Sequence, residues 1–400
     1  MHNITKIKLF RVILYITYIP SLVFILPFAL LRKKGPSIFL FFDRYSIGGA
    51  QKVYLDILES LQQQGKQVYF TRRSFNDELK NIFFSTRNAS VSDIHFWCDN
   101  LLFRIFTVHY FSFYINRYKH AFVLGSNSTF FYDMLPFLSK KHSRIELFHN
   151  FSYGKKGMEF FGLMNHRFLE HRILVDHATE QQVLEQYKIY QVPGKYNQRL
   201  KVIEPGVEYK EKASKTIDKP YKIFYAGRGG YQKRLWLMNR IAEKVLEMDL
   251  PFVFHFAGPV KDEFSERVQH AFPFYGNISS TEKLDELYRE SHIIMLTSSF
   301  EGFPMFIKEG MISGCVPMVT ALEGNKTHLK HMENALLLFQ VNEEDPLVEE
   351  AINLLTMLSE NPGLLQTLGL NAYEYARKHF DRERFIKQYQ DLFQVPPQQD

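Results

Sequence analysis

Short, continuously apolar runs alternate with amphipathic stretches from Pro36 onward. Ser37–Phe42 (SIFLFF) predicts a buried strand, Ala50–Gln64 a helix stopped by Gly65, and Gln67–Phe70 the next strand. The same rhythm predicts strands at Ala121–Leu124, Ile145–His149 and Ile173–Val175. It restarts after the polar stretch Tyr209–Lys219 (YKEKASKTIDK), with strands at Lys222–Tyr225, Phe252–Phe256, Ile293–Leu296 and Val316–Val319. Strands apolar on both faces and separated by helices form parallel sheets covered on both sides. Two such blocks joined by one charged linker predict two doubly wound α/β domains facing a cleft. Tyr373–Phe393 predicts a closing helix, ended by Val395-Pro396-Pro397.

One run departs from this rhythm. Val12–Leu31 (VILYITYIPSLVFILPFALL) holds 20 residues without a charge. As a helix it would cover about 30 Å, the hydrocarbon thickness of a bilayer. A secretory signal would end in small residues at a cleavage site, whereas this run ends in Arg32-Lys33-Lys34. A buried helix is rarely apolar on every face at the start of a chain. Residues 1–35 are therefore expected to be a membrane-associated segment. Lys6, Lys8 and Arg11 before the run balance Arg32, Lys33 and Lys34 after it, so charge sets no orientation. Pro20 falls mid-run, where it favours a kink. A single span and a re-entrant dip with both ends cytosolic both fit.

Composition and charge sharpen the picture. Four hundred residues, 46% hydrophobic and 23% charged, suit a large two-core globular chain and exclude a disordered or fibrous one. Cys98 and Cys315 are the two cysteines, too few for a disulfide framework and without zinc-ligand spacing, which points to a reducing compartment. Residues 1–200 hold 26 Lys and Arg against 14 Asp and Glu; residues 201–400 hold 23 against 29. The first half thus suits an anionic partner. The aromatic-basic stretch Phe103–Tyr118 reads either as a lipid-facing element or, more simply, as a buried helix.

Chemistry is expected at the carboxyl ends of the strands. Gly48-Gly49, after the first strand, lets backbone approach a ligand and opens a helix whose N–H groups suit an anion. No G-x-G-x-x-G fingerprint occurs there, which counts against a nicotinamide or flavin enzyme. Gly227-Arg228-Gly229-Gly230-Tyr231-Gln232-Lys233 holds the same place in the second block, with two cations bracketing a glycine-rich turn. His149 closes a first-block strand and could bond a sugar hydroxyl or phosphate oxygen. In Glu301-Gly302-Phe303-Pro304-Met305-Phe306-Ile307-Lys308-Glu309, Pro304 suits a helix start, leaving the Met305 and Phe306 N–H groups free. Glu309 lies about a turn further on, so both carboxylates can face one pocket.

These elements together resemble the retaining glycosyltransferases of family 4, with the GT-B arrangement of two Rossmann-like domains. The resemblance rests on GGAQKV (Gly48–Val53), His149 in LFHN, IEPGVE (Ile203–Glu208), GRGGYQK, and EGFPMFIKEGMISGCVP (Glu301–Pro317), which is similar to the family's E-x7-E block. It implies a first, acceptor domain over residues 36–208, a linker over 209–219, and a second, donor domain over 220–378. HFDRERFIKQYQDLF (His379–Phe393) resembles the family's closing helix, so residues 379–400 are expected to return to the first domain. It further implies that Arg228 and Lys233 hold the donor diphosphate and Glu309 the ribose hydroxyls. Gly48, Gly49, Gly227, Phe303, Met305 and Phe306 would complete the donor site. Glu301, on the hydroxyls of the transferred sugar, and His149, on the donor sugar, are the implied catalytic pair. No metal or other cofactor is expected, in keeping with the lack of an Asp-x-Asp motif. Glu204-Pro205 in place of Pro-Asn, Pro304 in place of Gly, and Gly310 in place of Ala depart from the family pattern.

The expected function is hexosyl transfer, with retention, from a nucleotide-diphosphate sugar to a lipid-linked or cell-surface glycan precursor of the polysaccharide or lipopolysaccharide type. The partners are the donor, that acceptor and a membrane surface, not nucleic acid. The catalytic domains are expected on the cytoplasmic side, a placement to which the Asn277 and Asn325 sequons near the donor loops lend weight, since glycans there would block the cleft. A nucleotide-sugar epimerase on the same scaffold, or a catalytically silent membrane-anchored sugar-binding subunit, are the alternatives.

Overall fold

The computed structural model describes residues 2–151, 157–211, 215, 216 and 218–394. They form two compact units, Met1–Glu204 with Ile386–Asp400, and Pro205–Phe385.

The first unit opens with helix α1 (His2–Leu31), then β1 (Ile38–Phe42), α2 (Gly49–Ser60) and β2 (Lys66–Phe70). Next come α3 (Lys80–Phe84), β3 (Ala89–Asp93), α4 (His95–Asp99), α5 (Leu101–Asn116) and β4 (Phe122–Ser126). It closes with α6 (Thr129–Met134), β5 (Ser143–Phe148), α7 (Met158–Asn165), β6 (His171–Leu174), α8 (His177–Ile189) and β7 (Leu200–Val202). The seven strands are all parallel, in the order β3-β2-β1-β4-β5-β6-β7. Strand order therefore reverses between β1 and β4, where an open α/β sheet leaves a crevice at its carboxyl edge. β1, β2 and β4 are buried at every position; β1 (IFLFF) is apolar throughout, whereas β2 (KQVYF) opens with Lys66, whose buried ammonium donates to Leu61 O (3.0 Å) and Arg87 O (3.0 Å). β3 is polar and half-exposed at the sheet edge, so periodicity alone gave it no signal.

The second unit holds β8 (Tyr221–Ala226), α9 (Leu235–Glu247), β9 (Phe252–Ala257), α10 (Glu266–Ala271), α11 (Thr281–Glu290) and β10 (Ile293–Leu296). There follow α12 (Met305–Ile312), β11 (Val316–Thr320), α13 (Glu323–Lys326), β12 (Leu336–Leu338), α14 (Glu344–Glu360) and α15 (Pro362–His379). Its five strands are also parallel, ordered β12-β11-β10-β8-β9, so the reversal falls between β8 and β10. One contiguous core runs from Tyr221 and Phe224 of β8 to Leu368 and Tyr373 of α15.

Three expectations change. The chain passes between units at Glu204–Pro205, ahead of the stretch expected as a linker. The cause is that Val207 N donates to Phe380 O (2.9 Å) and the Tyr373 hydroxyl to Lys210 O (3.0 Å), which fastens that stretch to the second unit. A Cβ at Gly206 would come within 2.5 Å of the Arg382 backbone, which accounts for the glycine of IEPGVE. Residues 212–214 and 217 of the stretch, and Val395-Pro396-Pro397, lie outside the described residues. The closing helix is broken: α15 ends at His379 and α16 spans Arg382–Leu392, crossing between units at Phe385–Ile386. Finally, the apolar run belongs to a longer helix, α1 (His2–Leu31), which continues through Pro20 and Pro27 without a turn. Side chains from α5 and α7 hold it at intervals, as detailed below.

Candidate functional site

The reversal point of the second sheet is where two of the singled-out residues meet. Lys233, on the loop after β8, forms an ion pair with Glu301, on the loop after β10, at 2.5 Å. The two loops are stitched by their own backbone. Ser299 N donates to Gln232 O (2.9 Å), the Gln232 amide donates to Phe300 O (2.9 Å), and the Thr297 hydroxyl donates to Lys233 O (3.0 Å). Arg234 completes the joint. It is buried in a left-handed backbone conformation (φ 48°), and its guanidinium donates to Thr297 O (2.6 Å), Ser298 O (3.1 Å) and Val341 O (2.6 Å). The Lys233–Glu301 geometry is thus set by buried hydrogen bonds behind it.

Arg228 stays exposed, its guanidinium making a long hydrogen bond to Gln232 Oε1 at 3.4 Å while its carbonyl accepts from the Tyr225 hydroxyl at 2.7 Å. Burial raises the Tyr225 hydroxyl pKa, and the charges of Glu301 and Glu263 raise it further. Gly227 lies against the loop after β9. A Cβ on Gly258 (φ 118°) would fall 1.9 Å from Gly227 O, a contact that only glycine permits. The Gly230 N–H, which the glycine-rich turn offers to an anion, donates to Glu263 Oε1 at 3.0 Å.

Pro304 is the N-cap of α12, and Pro304 O accepts from Ile307 N (3.0 Å) and Lys308 N (3.5 Å). The Met305 and Phe306 N–H groups therefore precede the first intrahelical bonds, as expected. Their side chains turn inward. Phe306 packs on Phe224 (5.7 Å) and Tyr288 (5.8 Å), and Phe303 packs on His328 (4.5 Å) and Phe380 (5.4 Å). Glu309 is buried, and Tyr288 of α11 donates its hydroxyl to Glu309 Oε2 at 2.7 Å. Burial and then the Glu309 charge hold the Tyr288 pKa well above its usual value. A third loop closes on the site, because a Cβ on Gly324 of α13 would lie 2.3 Å from Gly302 O. Tyr288, Arg234 and Glu263 escaped the sequence reading: no motif carries them, and their roles exist only once the loops meet.

In the first unit, His149 follows β5 and its Nε2 lies 3.0 Å from Ser126 Oγ at the end of β4. Its ring meets Tyr54 edge-on at 5.8 Å, and the Tyr54 hydroxyl donates to Asp43 Oδ1 at 3.0 Å, after β1. His149 thus sits at that sheet's own reversal point. Burial pushes its pKa down to about 4, so the imidazole is neutral near pH 7 and serves as a hydrogen-bonding group rather than a cation. Gly48 is extended (φ 171°) and caps α2; nothing stands within 4 Å of a Cβ placed on Gly49. Beside that loop lies a cavity of about 380 Å³ lined by Arg44, Arg72, Arg73, Ser74, Phe75 and Asp99. Arg44 is anchored over the Phe75 ring (4.2 Å) and on Arg73 O (2.8 Å), and Arg72 and Arg73 are exposed. The sequence signal for this cavity is the Arg72-Arg73 pair just past the end of β2.

Asn325 is buried, its amide donating to Thr320 O at 2.8 Å, so burial alone closes this sequon to a glycan whatever the compartment. Among the described residues no group of three or more His, Cys, Asp or Glu is placed to hold a metal ion.

Residues 207–375 match the family model described as glycosyl transferases group 1. A curated relative, an uncharacterized glycosyltransferase MJ1607 of Methanocaldococcus jannaschii, is 25% identical over 126 residues. That match spans 30% of this chain and only 32% of the relative. Among solved structures, Anabaena Alr3699/HepE in complex with UDP-glucose superposes with a TM-score of 0.68 at 15% identity, covering 89% of this chain and 98% of the other. TarM superposes with a TM-score of 0.58 at 18% identity over 72% of this chain, which spans 58% of TarM's length. The fold is GT-B: two parallel-sheet α/β domains, here with an apolar N-terminal helix.

Proposed function

We propose that this chain is a retaining glycosyltransferase of family 4 that transfers a hexosyl unit from a nucleotide-diphosphate sugar to a lipid-linked or cell-surface glycan precursor. The observation that carries the reading is the Lys233–Glu301 pair at the reversal point of the second sheet, beside the free end of α12. Arg228 and Lys233 take the donor diphosphate there, together with the Met305 and Phe306 N–H groups. Lys233 leaves its ion pair as the diphosphate arrives, which releases Glu301 for the sugar hydroxyls. Glu309 keeps one oxygen on Tyr288 and turns toward the ribose. The bond from the anomeric carbon to the diphosphate oxygen breaks as the acceptor oxygen bonds on the same face. The departing phosphate oxygen takes the acceptor's proton, so no enzymic nucleophile is required. Arginine and lysine, rather than a metal, balance the charge that develops on the leaving group.

On the acceptor side, neutral His149 hydrogen-bonds the donor sugar. The three-arginine cavity suits an acceptor that carries phosphate. The excess of basic residues in the first half and the apolar α1 support work at a membrane surface, on the cytoplasmic side where nucleotide sugars are made.

The test is thermal unfolding of the full-length protein with UDP, GDP, ADP and CDP in turn. HepE was solved with UDP-glucose, which makes UDP the first to try. At about 100 times its dissociation constant a ligand adds roughly 2.7 kcal/mol, a rise of several degrees. One nucleotide is expected to give that rise, and Arg228→Ala to abolish it. No rise with any of the four would end the donor-site reading while leaving the fold in place.

A further inference from the structure

α1 is shielded along one face and bare along the other. The shielded positions run from Ile7 through Leu14, Ile25 and Ala29 to Arg32, in register with the helical repeat. They are held at intervals along the helix. Arg11 donates to Asn165 Oδ1 of α7 (2.8 Å), Thr17 Oγ1 lies 3.1 Å from His109 Nε2 of α5, and Tyr18 stacks on Phe137 at 5.0 Å. Near the far end Arg117 donates to the carbonyls of Ala29 and Arg32, and Arg32 donates to the Tyr69 hydroxyl of β2 (2.7 Å). α1 therefore lies parallel to α5 and is fixed to the first unit from end to end.

The opposite face has the character of a bilayer contact. Ile16, Ile19, Val23, Phe24, Phe28 and Leu31 are each 66–81% exposed, and no charge interrupts residues 12–31. Only 17% of the helix's most apolar window is buried, so it is not a core helix. Exposed apolar side chains on this scale are not the scattered ones of an ordinary surface. Lys6 and Lys8 at one end and Lys33 and Lys34 at the other are all exposed. The start of α5 continues the apolar surface: Arg104 there reaches the Phe10 ring of α1 (5.8 Å), and Trp97, Leu101 and Leu102 nearby are 48–76% exposed. Tryptophan prefers the headgroup level.

A helix can cross a bilayer only if lipid or other spanning helices surround it. α1 has α5 along its side, and α5 is itself packed against the sheet through Phe111 on Phe41 (5.7 Å). We propose that α1 is an in-plane ridge of the first unit. It lies parallel to an anionic phospholipid surface, with its outer face in the upper acyl region and its terminal lysines on the headgroups. It neither spans nor dips. The proposal rests on the membrane-surface part of the proposed function and is independent of the transfer chemistry.

The test uses the full-length protein added to preformed vesicles of phosphatidylcholine with or without phosphatidylglycerol. Flotation with the anionic vesicles is expected, and Ile16→Glu with Val23→Glu should reduce it at least tenfold without loss of secondary structure. Single-cysteine variants Lys6→Cys and Lys33→Cys then report both ends, read with a membrane-impermeant maleimide. The native cysteines stay silent: both are buried, and burial pushes the Cys98 thiol up to about 12. Both ends should be labelled on bound protein, and Thr17→Cys with His109→Cys should be joined by a short bifunctional thiol reagent. Protection of one end would establish a span and overturn the proposal while membrane binding stands. Labelling of both ends without the crosslink would establish an undocked helix, with the same consequence. Absence of flotation, with self-association through α1, would overturn the proposal and the membrane reading together, and the nucleotide experiment would still decide the transfer chemistry.

Discussion

Lys233 and Glu301 come from loops far apart in sequence, and their meeting is the residue-scale fact on which the proposed donor site turns. Arg228 stands outside that pair, exposed, so removing it should not disturb folding. Arg228→Ala is expected to cost about 2–4 kcal/mol of transition-state stabilisation, roughly 30–1,000-fold in turnover, with an unchanged melting temperature. Steady-state transfer from the nucleotide sugar checks this, and unaltered turnover would take Arg228 out of the mechanism. Arg72 and Arg73 make a different demand. If they hold a phosphate on the acceptor, Arg72→Ala with Arg73→Ala should raise the acceptor KM about tenfold and leave kcat and the donor KM in place. A loss confined to kcat would assign them elsewhere. The loop positions of Arg228, Lys233 and Glu301, past the ends of β8 and β10, were legible because glycine, proline and charge mark the ends of apolar runs. Tyr288 and Glu263 were not, since a lone residue on a helix face or an exposed loop gains meaning only from the carboxylate or N–H that the fold brings to it.

Elements were legible where burial is complete on both faces. β1, β4 and β10 read directly from their apolar runs and β2 from its Val68–Phe70 part, whereas β3, β7 and β12 did not: one is polar at an edge, and two are only three residues long. The break between α15 and α16 escaped because Phe380-Asp381 carries no glycine or proline; it arises where Phe380 turns inward and Val207 N bonds its carbonyl. Gly310 looked like a loss of family character, and packing gives it a cause. A Cβ there would sit 2.4 Å from Ile294 Cδ1 and 3.0 Å from two further Ile294 carbons, so α12 lies against β10 closely enough that any larger residue would force Ile294 to shift. Gly310→Ala is expected to destabilise by about 1–3 kcal/mol through overpacking. Ile294→Val removes the nearest of those carbons, so adding it should recover part of the loss. Chemical denaturation of the single and double variants checks both, and a stabilising Gly310→Ala would show that α12 can move off the sheet.

Over the whole molecule, burial leaves a set of histidines that resist protonation in the fold. His109, His142, His149 and His255 each have a pKa pushed down to about 4, with burial as the leading cause. Their ordinary value is 6.5, so between pH 6.5 and 4 the unfolded chain binds protons that the folded chain refuses. Stability therefore rises with pH across that window, is fully present above it and falls as the solution is acidified. Each such histidine contributes a slope of at most about 1.4 kcal/mol per pH unit. Asp43 and Asp133, whose carboxyl pKa values burial raises, pull the other way, but only at the acid end of the window. The expected outcome is a melting temperature that is flat near pH 7–8 and drops progressively below about pH 6.5. His142 isolates one share of that drop, because it is almost wholly buried and neither ring nitrogen has a hydrogen-bond partner among the described residues. Replacing it with an apolar side chain forfeits no bond. His142→Leu should leave stability at pH 7.5 little changed and flatten the acid slope by one histidine's worth. Parallel melting curves for variant and parent from pH 7.5 to 4.5 would mean that His142 takes up its proton inside the fold, and that the acid sensitivity of the chain has another source.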